Sequence, residues 1–258
     1  MLVAHYSKKG VSFWDNAHTM AYLYTQFLYR PLLNLLFFLY NNVYADLGVA
    51  IILLTIIVRV VLLPLFYKSA KDQTILQKIA PRIQELQKIH KEDKERQVKE
   101  IMAVYKEHRV NPFSGFLFII VQLPILIALY GVFLRGLKNV DASLLYSFVH
   151  LPASINYRFI GLFDLSSHSV VLVVLAAVFQ YLQSYFLLRA SGRNNVKGAQ
   201  LSMAERMGRQ MMYMGPLLSL IILWPLPSAV ALYWLTTSAF STIQQVVINK
   251  RIKTTKNP

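Results

Sequence analysis

Five stretches of this chain are apolar for long enough to cross a bilayer, and together they hold one charged side chain, Arg59. They are residues 47–67, 113–134, 169–188, 210–224 and 228–248. A span needs about 20 apolar residues, within a range of roughly 17–25. The fourth is short unless Met207 and Gly208 join it, and Pro225–Leu226–Pro227 makes a tight turn into the fifth. Burying a guanidinium near the bilayer centre costs about 2.5–3.5 kcal/mol on an insertion scale, and more on an isolated helix. A chain keeps such a charge where it faces water, a partner or a cavity, which makes Arg59 a candidate functional residue.

Composition supports the membrane reading. Of 258 residues, 55% are hydrophobic, and mean hydropathy is +0.43. The absence of cysteine excludes disulfides, thiolate metal sites, cysteine nucleophiles and cysteine lipidation. The net charge of +15 would suggest nucleic acid in a soluble protein. Here it is confined to particular loops, so the positive-inside rule accounts for it and no sequence-specific nucleic-acid partner is expected. The first eighteen residues lack the apolar core of a secretory signal peptide.

Basic residues set the expected orientation. Eleven lie in 68–112, five in 189–209 and four in 250–256, against six in the other loops. The first three regions are therefore expected in the cytoplasm, with the N-terminus outside and the C-terminus inside. Residues 21–43 are interrupted by Arg30–Pro31 and carry Asn34, Asn41 and Asn42. They read as one or two aromatic-rich interfacial helices, the alternative being a kinked sixth span. In 68–112, Ile75, Ile79, Ile83, Leu86 and Ile89 form a helical stripe. Val98, Ile101, Met102 and Tyr105 continue it after the charged turn 91–95, which predicts a helical hairpin with a charged outer face. Pro81 should kink the first arm or start a new helix. The implied division is an extracytoplasmic segment 1–45, a five-helix core 46–248 containing the hairpin, and a basic tail 249–258.

No Asp or Glu and none of the six His falls within the five stretches. Proton-coupled transport and intramembrane proteolysis need such groups at membrane depth. No enzyme, metal or cofactor is expected. What remains is Arg59, with Thr55 one turn before it, Gln122 on the second stretch, and Gln180, Gln183 and Ser184 on the third. The fifth carries Trp234, Ser238, Ser241 and Gln245 at helical spacing, with Thr237 and Gln244 alongside. Each such residue taken singly reads as a helix–helix hydrogen bond. Together, without an acid to neutralise Arg59, they point to a hydrated concavity holding a positive charge. Such a concavity lowers the desolvation barrier for a hydrophilic segment crossing the bilayer. The alternatives are a small anion transporter or channel, and an assembly chaperone that binds membrane subunits without inserting them.

Residues 79–130 resemble the cytoplasmic hairpin and second conserved span of the YidC insertase family, which includes the mitochondrial oxidase-assembly and thylakoid homologues. The matching pieces are Tyr105–Lys106–Glu107–His108, Val110–Asn111–Pro112 and Gln122–Leu123–Pro124–Ile125. Residues 51–65 resemble the first conserved span, with Arg59 at the groove arginine, and residues 232–245 the last. The resemblance extends over about residues 20–250 in matching order. It implies an all-α membrane protein in the bacterial cytoplasmic membrane, with five transmembrane helices around a hydrophilic groove open to cytoplasm and lipid. Arg59, Thr55, Gln122, Gln183, Trp234 and Ser238 are its expected substrate-binding groove residues. Implied partners are nascent membrane proteins, the ribosome and lipids, with a Sec translocon left open, and the working unit is a monomer. The chain departs from the family pattern at Ser238, where Asn is frequent, and at Arg109, where Gly is usual.

Overall fold

The computed structural model describes residues 13–134, 140–189 and 203–254, and for 13–18, 115–119, 134, 188–189, 203–209, 211–212 and 252–254 the backbone alone. Lys8, Lys9, Arg135, Lys138, Arg193, Lys197 and Lys256, which entered the charge asymmetry, lie outside the described residues. The first described elements are α1 (Phe13–Tyr24), one π-helical turn (Thr25–Tyr29) and α2 (Arg30–Asn42). The helix thus continues through Arg30–Pro31, where an interruption was expected. Pro31 lacks an N–H and its ring crowds the carbonyl four residues back. The wider π turn, in which the Arg30 N–H donates to the Thr25 carbonyl, accommodates it. α2 packs against α3 and α6 and buries Leu33, Leu36 and Phe37.

The first apolar stretch is not one straight helix. α3 (Leu47–Val61) ends at Leu62, and α4 (Leu63–Ile89) departs at 70°. Pro64 in the first turn of α4 explains the break, since it cannot donate to the Val60 carbonyl. α4 and α5 (Lys94–Glu107) form the expected hairpin around a small core of Ile79, Ile83, Leu86, Val104 and Val110. Ile89, Val98 and Met102, assigned to the stripe from spacing, are exposed instead, while Ile75, Ile101 and Tyr105 pack on that core. Pro81 starts no new helix, because α4 runs on through it. Beyond α5, Arg109 takes φ +50, a conformation glycine adopts without strain.

The remaining helices are α6 (Ser114–Leu134), α7 (Val170–Arg189), α8 (Met203–Leu223) and α9 (Ser228–Thr254). They follow the other four apolar stretches, with α8 extended backwards as the short fourth stretch required. α9 packs mainly on α7 and α3, and α7 also on α8. Between α6 and α7 lie a 3-10 turn (Ala142–Leu144) and a small antiparallel pair, β1 (Arg158–Phe159) and β2 (Phe163–Asp164).

This segment seals one end of the bundle through backbone bonds. Leu47 N–H donates to the Asn156 carbonyl at 3.2 Å, Ser228 N–H to Ser167 at 2.8 Å and Ala229 N–H to Leu165 at 3.1 Å. Asp46 caps α3, accepting from Gly48 and Val49 N–H, and its other oxygen accepts from Ile160 N–H at 2.7 Å. Gly48 is required here, since a side chain at that position would run into the Phe159 ring. Asn34, polar within an apolar helix, is buried and useful: it donates to Leu144 O at 2.9 Å and accepts from Tyr146 N–H at 2.7 Å. Arg30 adds a bond to Leu144 O at 3.0 Å.

Over 170–187, α7 has a mean hydropathy of 1.9, yet only 22% of it is buried. Among the described residues it alone is long and apolar enough to span a bilayer, with the bent α3–α4 pair as a second if it counts as one span. A core helix of a water-soluble protein would bury such a surface. α8 likewise exposes Leu217, Leu218 and Ile221. Contiguous apolar faces of this kind mark contact with lipid or a partner.

Candidate functional site

Arg59 sits in the last turn of α3, just before the bend, and is 3% exposed. The C-terminal end of a helix carries partial negative charge, which favours a cation there. Its Nη2 donates to Gln122 Oε1 on α6 at 3.3 Å. Its Cζ lies 4.5 Å from the Phe66 ring centroid, a cation–π contact from the first turn of α4. Gln122 uses its other end to donate from Nε2 to the Tyr233 hydroxyl on α9. Three helices are thereby joined through one amide, and a bond to an ionised group polarises the next along the chain.

Thr55 lies one turn below Arg59, fully buried, and its hydroxyl donates to the Ile51 carbonyl. Beside Arg59 is a cavity of about 10 Å³ lined also by Thr55, Phe66, Gln122, Tyr233 and Thr237. That is room for about one water. The broad hydrated concavity expected from the sequence does not surround Arg59 here, because Phe66, Gln122 and Tyr233 close over it.

Trp234 and Ser238 belong to a second cluster. Trp234 Nε1 and Ser238 Oγ both donate to Gln180 Oε1 on α7, at 3.0 and 3.1 Å. The polar seam continues along α9 with Thr242 donating to Phe179 O and Gln245 donating to Thr74 Oγ1. Gln183 lies one turn from Gln180, half-buried, and lines neither the Arg59 cavity nor the Gln180 contact. The structure thus gathers Arg59, Thr55 and Gln122 in one place, Trp234 and Ser238 in another, and leaves Gln183 apart.

Residues 38–256 match the family described as 60Kd inner membrane protein. The membrane protein insertase YidC of Fusobacterium nucleatum is 32% identical over 228 residues, covering 87% of this chain and 98% of that protein. That of Clostridium tetani is 35% identical over 208 residues, covering 80% and 82%. That of Helicobacter pylori is 33% identical over 226 residues, 86% of this chain but 36% of the longer protein. The chain belongs to the 60Kd inner membrane protein family, the family of the YidC insertases.

Its function is the family's, membrane protein insertion, which involves no enzymatic reaction. That replaces the anion-transporter alternative. Membership also makes it a helical protein of an inner-membrane family, in the extent of the shorter relatives. Two members of the Arg59 cluster escaped the candidate set for this insertase. Tyr233 is not among the candidates, yet its hydroxyl accepts from Gln122 Nε2. Phe66 carried no polar signal at all. The hint available was the spacing of Tyr233 and Thr237, one turn apart on a face of α9 distinct from that of Trp234 and Ser238.

Proposed function

We propose that this chain inserts nascent membrane proteins by offering the Arg59 pocket to the hydrophilic flank of an arriving segment. In this reading α3, α6, α7, α8 and α9 are five spans, with α4 and α5 in the cytoplasm, the N-terminus outside and the C-terminus inside. The basic residues of the hairpin and of the end of α9 meet the ribosome. The apolar faces of α7 and α9 accompany the apolar part of the substrate. Gln183, Trp234 and Ser238 form a second polar rung beside it. The reading rests on one guanidinium kept at 3% exposure in a cavity whose other eight lining residues are uncharged. A fixed cation in apolar surroundings attracts a passing carboxylate far more than the same charge in water.

Because the cavity holds about one water, the segment meets Arg59 when α3 and α6 part from α9. The Gln122–Tyr233 bond is the contact that gives way. The test is insertion of a single-span substrate with an acidic translocated tail into liposomes containing the purified chain. Arg59→Ala should slow tail translocation about tenfold, the effect of about 1.4 kcal/mol. Arg59→Lys keeps part of the rate, having the charge without the planar fork. An Arg59→Glu variant that is folded by thermal melting and inserts at the wild-type rate removes Arg59 from the mechanism.

A further inference from the structure

A larger cavity, of about 260 Å³, lies where the hairpin rejoins the bundle. Its charged lining is Lys68 of α4, Lys106 in the last turn of α5, Arg109 just beyond, and one acid, Asp72. The three cations are exposed. Asp72 is 6% exposed, and its Oδ2 already accepts the Ser114 hydroxyl at 2.7 Å. Arg109 holds φ +50, where an L side chain is strained and glycine is not. An arginine kept in that conformation beside two lysines has a use there.

What adjoins the cavity indicates the ligand. Asn111 and Pro112 also line it, and the chain then enters α6. Ile120 and Ile127 lie seven residues apart on α6, close to two helical turns, so they share one stripe, and Phe113 stands in the turn just before the helix. Phe113 is 69% exposed and Ile120 66%, and Leu123 between the two isoleucines is exposed as well. A cationic cavity opening onto an exposed apolar stripe has the division of a phospholipid, charged at one end and apolar along its length.

We infer that this cavity binds the phosphate of an anionic phospholipid, held by Lys68, Lys106 and Arg109, with the acyl chains along Phe113 and the Ile120–Ile127 stripe of α6. The inference rests on the reading of α6 as a membrane span. The guanidinium fork matches two phosphate oxygens, and the lysines add point charge. Basic pockets on the cytoplasmic side of membrane proteins take anionic headgroups in this way. Tyr105 also lines the cavity, and its phenol, protonated at neutral pH and pushed further up by burial, has a proton to donate. The volume falls just under the range of about 300–1,000 Å³ for small-ligand sites, enough for a headgroup and not for a whole lipid.

The experiment is native mass spectrometry of the full chain in a neutral detergent, titrated with phosphatidylglycerol or phosphatidylcholine. The wild type retains phosphatidylglycerol in preference. Arg109→Gly and Lys106→Gln each lower that preference about fivefold, and Lys99→Gln, on α5 outside the lining, leaves it unchanged. Arg109→Gly relieves the backbone, so its thermal midpoint stays level or rises and unfolding does not explain the loss. A double variant with the wild-type preference overturns the site. So does an equal loss from Lys99→Gln, which means bulk charge, or inorganic phosphate binding as tightly as the lipid. Arg59→Ala keeps the lipid preference, so this site and the Arg59 mechanism fail separately.

Discussion

Gln122 accepts from Arg59 and donates to Tyr233, so both ends of its amide are committed inside the bundle. Leucine in its place leaves a buried guanidinium short of a charge-assisted bond, worth about 1.5–3 kcal/mol. Gln122→Leu should therefore lower unfolding stability by about 2 kcal/mol. The same change in an Arg59→Met background should cost about 1 kcal/mol, the Tyr233 bond alone, and a double-mutant cycle in detergent measures the difference. Ile160 gives a prediction of opposite sign. It holds φ +45 before Gly161, a β-branched side chain in a left-handed turn. Ile160→Asn should raise stability by about 1 kcal/mol, seen as a higher thermal midpoint. Arg59, Thr55 and Gln122 were legible because a charge or a polar group in an apolar run is costly and therefore informative. Tyr233 was not, since a tyrosine in a span packs or bonds with equal ease. Gln183 shows the limit of spacing: it gives a face of the helix, not which neighbour covers it.

Helices were the most legible elements, as unbroken apolar runs admit little else in a membrane. What spacing missed were continuity and direction. Arg30–Pro31 looked like an interruption, yet a π turn carries the helix through it. Residues 47–67 looked like one span, yet Pro64 turns the chain by 70°. Replacing Pro64 with Ala supplies the N–H that proline lacks. The bend should open, and spin labels at positions 56 and 71 should move apart in a pulsed distance measurement. At the other end of α3, Asp46 caps two N–H groups and holds Ile160 as well. Asp46→Ala should cost about 2 kcal/mol by thermal unfolding, and Asp46→Asn less, because its amide oxygen still accepts.

Among the described residues there are two cores of unequal weight. The large one is built from α2, α3, α6, α7, α9 and the end of α8, and the hairpin has its own cluster around Leu86 and Val104. A unit with so few buried residues opens at low free energy. Leu86→Ala, costing about 2–5 kcal/mol where a leucine is fully buried, should expose α4 and α5 to protease while the bundle stays intact on the same gel. Loss of the whole chain at one protease concentration would mean that the two cores melt together.

Loop carbonyls grip the first turns of α3 and α9, whereas toward their opposite ends the described bonds are made by side chains, Arg59 to Gln122 and Asn249 to the Phe186 carbonyl. α3, with 15 residues, is a lever arm of about 22 Å. Pivoting about the clasped end by roughly 6° carries the level of Arg59, about 18 Å along, by about 2 Å, nearly as far as the tip itself. A modest tilt therefore moves the guanidinium almost as much as the mouth, so a guest chain would be admitted from the hairpin side while the opposite rim stays shut.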